Sequence, residues 1–291
     1  MPRHALQLMF AVCLLTLTLT VSAPILHAQS GLVSLDYPNS VETECNDVNL
    51  NGVIVGHYID SNGADHGFTR INGQLSTVDV PNSLGTLLYG VSLSHAVGWY
   101  TDNSGIVHGA VIDTKGNVKT IDPPGSTATN AWSINDSGTV VGDYTDSSGV
   151  FHGFILANGK YTSYDAPGGS ILTEVLGINN AGVIVGIFDD SSGVEHGFAQ
   201  VKGKFIQIDD PESGGAVTAT DRINSSGEVV GLWGTSSSGP FSGYHAKNGV
   251  FTTITFPGSF ETRTRGLNDK GVVVGRYTDQ NGVIHGYYGV P

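Results

Sequence analysis

The sequence predicts an all-β chain: a six-bladed β-propeller of four-stranded antiparallel blades. Three observations carry the prediction. A unit of about 44 residues recurs six times, marked by a G-x-V-V-G-like run ending at Gly56, Gly98, Gly142, Gly186, Gly231 and Gly275. Each unit divides into four short stretches separated by turn residues, which is the size of one blade. The sixth unit stops at Pro291 without its last stretch, and that stretch stands alone near the N-terminus as Leu35-Asp36-Tyr37-Pro38. A linear array has no reason to split a repeat in this way. A closed ring does, because pairing the two ends removes free sheet edges. A β-solenoid is the alternative, but its coils are usually shorter and its ends are capped rather than exchanged.

The fourth copy shows the elements in order. Val175 to Asn179 is a short apolar stretch, strand a, ended by the turn residues Asn180, Ala181 and Gly182. Val183-Ile184-Val185-Gly186-Ile187-Phe188 is a β-branched run, strand b, followed by the turn Asp190-Ser191-Ser192-Gly193. His196 to Val201 is strand c. After a turn at Lys202-Gly203, Lys204 to Asp209 alternates polar and apolar residues, the period of a strand, and forms strand d. Pro211 ends it, because proline cannot donate to a ladder. Strand d closes on a D-x-P corner at Asp79, Asp122, Asp165, Asp209 and Asp36, whereas the fifth copy reads Thr255-Phe256-Pro257. No segment sustains a 3.6-residue period, so almost no helix is expected.

The first residues lie outside this pattern. Arg3 and His4 precede an apolar run from Ala5 to about Ala23, and Leu26-His27-Ala28 offers a cleavage site before Gln29. Residues 1–28 are therefore expected to be a signal peptide and residues 29–291 a single propeller domain, secreted or periplasmic. No other long apolar run is present, so no membrane association is expected after cleavage. The mature part would carry twelve basic against 26 acidic residues, a net of −14. That balance argues against nucleic acid, whose phosphates require Lys and Arg. Cys13 falls in the leader, so Cys45 has no partner for a disulfide. A monomer is expected.

Several polar residues recur with the repeat. Asp60/His66, Asp102/His108, Asp146/His152, Asp190/His196 and Asp279/His285 each lie six residues apart, across the turn between strands b and c. A carboxylate beside an imidazole is half of a catalytic triad or a pair of metal ligands. Five copies on diverging blades instead favour a structural role, in which the Asp orients the His. The fifth copy has Thr235 and Ser242 in their place. Asn49, Asn135, Asn179, Asn224 and Asn268 read as turn residues bonding nearby backbone. Phe68, Phe154, Phe198, Tyr244 and Tyr287 read as packing between blades, and Thr43, Thr86, Thr129, Thr173 and Thr262 as fixing the start of strand a. The chain has no G-x-S-x-G, H-E-x-x-H, G-x-G-x-x-G, P-loop or calcium-loop motif. No metal and no cofactor are expected.

A site for one ligand belongs where the copies differ. The residue after V-V-G is the most variable, reading His57, Trp99, Asp143, Ile187, Leu232 and Arg276. Trp132, Arg222, Trp233, Arg263, Arg265 and an unusual Pro240-Phe241 turn are further irregularities. Aromatic and Arg side chains near the mouth of a ring stack on sugars or clamp carboxylates. The candidate binding residues are thus His57, Trp99, Trp132, Arg222, Trp233, Arg265 and Arg276. The b–c turns and the corners after strand d are expected on one rim.

The recurring I-N-x-x-G-x-V-V-G-x-Y-x-D…H-G-F pattern, as in Ile134-Asn135, Gly142-Asp143-Tyr144 and His152-Gly153-Phe154, resembles the bacterial probable extracellular repeat family known as HAF. Here Gly replaces the central Ala of that name. The resemblance covers nearly all of residues 31–291. It implies an exported, propeller-like protein and no established activity or catalytic residues. The expected function is non-catalytic binding of a glycan or extracellular protein on one face. The alternative is a polysaccharide-active enzyme, lyase or hydrolase, drawing carboxylates from Asp143, Asp210, Glu212 and Glu261 and a base from His57 or His95.

Overall fold

The computed structural model describes residues 26–28, 31–168 and 172–291. Its regular elements are β-strands, apart from one 3-10 turn at Pro211–Ser213. Among the described residues no helix is long and apolar enough to cross a membrane. The expected signal peptide falls outside the described residues except for Leu26–Ala28, a strand paired in parallel with Val250–Ile254.

The fourth repeat folds as Leu172–Ile178, Ile184–Asp189, Glu195–Val201 and Lys204–Ile208, strands a to d of one antiparallel sheet. Strand a begins three residues earlier than its apolar run, because Leu172, Thr173 and Glu174 pair with Asp189, Phe188 and Ile187 of strand b. The other repeats follow the same order. Leu32–Leu35 pairs antiparallel with Ile284–Gly289, Leu32 opposite Gly289 and Leu35 opposite Gly286, in a four-stranded sheet with the two other strands of the sixth repeat.

Strand a of each repeat packs on strands b and c of the repeat before it, and Glu42–Val48 of the first packs on the b and c strands of the sixth. The contact surface is apolar: Val141 of the third repeat meets Val175, Ile184 and Phe198 of the fourth in one buried cluster. Phe68, Phe154, Phe198, Tyr244 and Tyr287 are all fully buried. Two glycines permit this packing. A Cβ on Gly186 of V-V-G would stand 1.9 Å from the carbonyl oxygen of Glu174 on strand a. One on Gly197 of H-G-F would stand 2.2 Å from Thr220 Oγ1 of the next repeat. Close approach of a backbone carbonyl at Gly186, and of a threonine side chain from the next repeat at Gly197, thus dictates the two motifs.

The repeated polar residues bind the scaffold in ways that differ in part from the sequence reading. The imidazole does not take its hydrogen bond from the Asp across the hairpin. His66, His108, His152, His196 and His285 instead donate from Nδ1 to Asp79, Asp122, Asp165, Asp209 and Asp36 of the D-x-P corners, at 2.8–2.9 Å. The turn residues Asp60, Asp102, Asp146, Asp190 and Asp279 stand 3.5–3.9 Å from Nε2. Their Oδ1 atoms accept backbone N–H groups of the turn itself, as Asp190 does from Ser192 and Val194. The turn geometry commits that carboxylate, and strand d presents the second one. Thr235, Ser242 and Thr255 therefore depart together in the fifth repeat because they would form one such constellation. The b–c turns and the corners after strand d share a rim for the same reason.

Asn49, Asn135 and Asn179 do more than shape their own turns. Oδ1 accepts nearby backbone N–H groups, and Nδ2 donates to the carbonyl of Ser92, Asn179 and Asn224 in the following repeat. Asn268 donates in the same way to Asn49, from the last repeat to the first. Thr43, Thr86, Thr173 and Thr262 each accept the N–H of the middle residue of the D-x-P-type corner. In the third repeat that residue is Pro123, which has no N–H, and Thr129 donates to Ser126 instead.

Candidate functional site

Every a strand carries a one-residue register shift against strand b, at Asn46, Tyr89, Trp132, Leu176, Asp221 and Arg265. Such a bulge frees a backbone carbonyl from the ladder and re-aims its side chain. Both consequences are used. Arg222 is buried and donates to the carbonyl oxygens of Tyr89, Trp132, Leu176 and Asp221, four bulge residues on four strands. Its Nε lies 3.6 Å from Asp47 Oδ2 of the first repeat. One guanidinium thus ties together the inner strands of repeats one to five.

Four of the re-aimed side chains, Trp132, Leu176, Asp221 and Arg265, line a cavity of about 430 Å³. Glu174, Asp189, Glu195 and Arg263 join them, and the b–c turn residues Gly193 and Ser237 place it at that rim. Arg265 Nη1 is 2.8 Å from Asp221 Oδ1. Arg263 Nε donates to Glu261 at 2.7 Å, and its guanidinium lies 4.5 Å from the ring centroid of Phe241. Trp132 Nε1 donates to Asp143, which also accepts from Asn130 at 3.1 Å. Arg276 reaches Glu44 at 3.1 Å.

Beside the cavity, Tyr89 stacks on Trp99 at 4.2 Å, and both lie nearly perpendicular to the Trp132 ring, at 4.6 and 4.9 Å. His57 stacks on Tyr89 at 5.6 Å and accepts at Nδ1 from Asn46. Burial, against the pull of Glu44, holds His57 below its ordinary value. Burial also raises Glu44, yet His57 and Arg276 outweigh it and leave that carboxyl below its usual range.

The carboxyls at the cavity behave differently. Burial, then the neighbouring Asp143 and Glu195, raises Glu174 to about 8. Burial and Asp189 raise Glu195 to about 7, and burial raises Asp143 to about 6 against its bonds from Trp132 and Asn130. Among the described residues no group of three His, Cys, Asp or Glu is placed to hold a metal.

The variable residues thus meet in large part. Trp132 and Arg265 are at the cavity, Trp99, His57 and Arg276 stand in the shell around it, and Arg222 is the tie among its strands. Trp233 does not join them. It lies one position beyond the variable slot, on the opposite face of strand b, and packs against the buried cluster of Val185, Tyr244 and Ala246. Of the carboxylates considered, Asp143 and Glu261 are in the shell. Asp210 instead caps the 3-10 turn, Glu212 accepts from Thr253, and His95 bonds Ser94. The repeat pattern by itself does not mark Glu174, Glu195, Asp221 or Tyr89 as site residues. Strand a holds a second variable column, reading Glu44, Leu87, Asn130, Glu174, Ala219 and Arg263, that points to this place.

No protein-family model matches the chain. No curated protein matches its sequence. Solved structures do resemble it. AofleA from Arthrobotrys oligospora is 14% identical, with 88% of this chain and 85% of that one covered and a TM-score of 0.56. The lectin of Aleuria aurantia, a fungal lectin with a six-bladed β-propeller fold and a fucose recognition mode, is 11% identical over 89% and 98%, with a TM-score of 0.52. A gluconolactonase from Xanthomonas campestris is 11% identical over 89% of each chain, with a TM-score of 0.51. At these identities the likeness concerns the fold alone, and that fold is the β-propeller.

Proposed function

We propose that this protein is an exported, non-catalytic six-bladed β-propeller, closed by Leu32–Leu35, that binds a glycan in the cavity beside Trp132. The cavity is the observation that carries the reading. Its volume of about 430 Å³ falls in the range of small-molecule sites, about 300–1,000 Å³. Its wall is irregular although the ring repeats, which suits one asymmetric ligand. Trp132 offers aromatic surface, and Arg263, Ser237 and the carboxyls offer hydrogen bonds to hydroxyls. The family resemblance and the leader-like residues 1–28 support export, and the acidic surface favours neutral or cationic partners.

A glycan array with the wild-type protein tests the reading. Binding that is lost in Trp132→Ala and Arg263→Ala, but kept in the exposed control Lys247→Ala, supports it; binding indifferent to all three removes it.

The raised carboxyls Glu174 and Glu195 favour a second reading, a polysaccharide-active enzyme using a protonated acid. Product analysis separates the two. New reducing ends or unsaturated products from a bound glycan establish turnover, and an unchanged glycan establishes binding alone.

A further inference from the structure

We infer that the ligand of this cavity is an amino sugar, whose protonated amine is held by Glu174 and Glu195 while its hydroxyls meet the rest of the wall. The inference rests on the glycan reading of the same cavity and names the ligand's chemistry.

Charge matching is the argument. Each arginine around the cavity already has a carboxylate: Arg263 with Glu261, Arg265 with Asp221, and Arg276 with Glu44. Asp143 is held by Trp132 and Asn130. Three carboxyls at the wall remain, Glu174, Asp189 and Glu195, and no hydrogen bond or ion pair engages their side chains among the described residues. Glu195 stands directly opposite Asp189 in the ladder between strands b and c, so the two ionise together favourably only beside a counter-charge. Burial and the acidic neighbours disfavour ionisation of Glu174 and Glu195, and the pull of Arg265 on both and of Arg263 on Glu195 does not offset it. An ammonium supplies that positive charge, and Trp132 adds aromatic surface to the same wall. An acidic sugar meets the opposite situation, with its matching arginines engaged and three carboxyls facing it.

Isothermal titration at pH 7 with glucosamine, N-acetylglucosamine and glucose tests the inference on the intact protein. Glucosamine is expected to bind at least about tenfold more tightly than the two neutral sugars. Glu174→Gln and Glu195→Gln, which remove the ability to ionise while nearly keeping shape, are expected to erase that preference without lowering the melting temperature. Binding is also expected to release protons, read as an enthalpy that changes with the buffer. Equal affinity for the three sugars, or a preference for a neutral one, overturns the inference and leaves the glycan reading standing. Glucosamine binding unchanged in both variants also overturns it. No binding of any sugar here or of any glycan on the array overturns both.

Discussion

Nδ1 of His285 lies 2.9 Å from Oδ1 of Asp36, a bond that joins residues 249 positions apart in the chain. The same bond is made within a single repeat by His66, His108, His152 and His196. The corner after Leu32–Leu35 therefore stands to the sixth repeat as the corner after strand d stands to the others. Deleting residues 31–40 is expected to lower the melting temperature and cause aggregation, because it removes a paired strand and buried Leu35. Asp36→Ala, which breaks only a half-exposed pair, is expected to cost less than about 1 kcal/mol. Calorimetry and light scattering check both. An unchanged melting temperature in the deletion would sink the closure by the N-terminal strand.

Arg222→Met is expected to be among the most damaging single substitutions. It leaves four bulge carbonyls without their donor and the Asp47 carboxylate buried without its ion partner. Breaking a buried ionic network of this kind costs about 3–5 kcal/mol. Urea unfolding, with the midpoint falling at constant slope, is the measurement.

Stability is expected to fall as pH rises from about 4.5 to about 8. Glu174 ordinarily titrates near 4.5, but in the folded protein it holds its proton to about 8. In that window the native state binds more protons than the unfolded chain, so the free energy of unfolding decreases with pH. The groups that set the shift face it from neighbouring strands: Asp143, Glu195 and Asp221 oppose its ionisation and Arg265 favours it. Glu174→Gln is expected to flatten the dependence and leave the remaining slope due to Glu195 and Asp143. Melting temperatures near pH 5 and pH 8 give the comparison; an identical slope in the variant would refute the assignment.

Two glycines of the fourth repeat are expected to respond very differently to alanine. Gly186→Ala drives a Cβ to 1.9 Å from a backbone oxygen, and a loss above about 4 kcal/mol is expected. Gly193 sits in a turn at φ +76° with open space around it, so Gly193→Ala meets only the backbone penalty of about 1 kcal/mol. Thermal unfolding of the two variants distinguishes steric exclusion from conformational preference.

Much of the scaffold was legible because its causes are local. Turn glycines, β-branched runs and the period-2 alternation of Lys204 to Asp209 mark strands wherever they occur. Thr173 and Glu174 are polar, so the apolar pattern of the fourth repeat starts after them, and only pairing with strand b makes them part of strand a. The Asp–His spacing marks a real constellation, in which the turn Asp lies 3.5–3.9 Å from the imidazole and a second carboxylate makes the shorter bond. Chain separation favours the Asp six residues away, whereas the fold folds strand d back to present another one.

The sequence by itself determined the strand-rich repeat, the exchange of its last piece to the N-terminus, and the places where the copies differ. Those properties follow from turn chemistry and hydrophobic periodicity, which act over a few residues. The tertiary structure decided which irregular residues meet. It sent Trp233 into the core, made Arg222 a tie across five strands, and gathered Glu174, Glu195 and Trp132 around one cavity. Bulges and long-range packing decide such meetings, because they bring together strands from separate repeats that no local pattern relates.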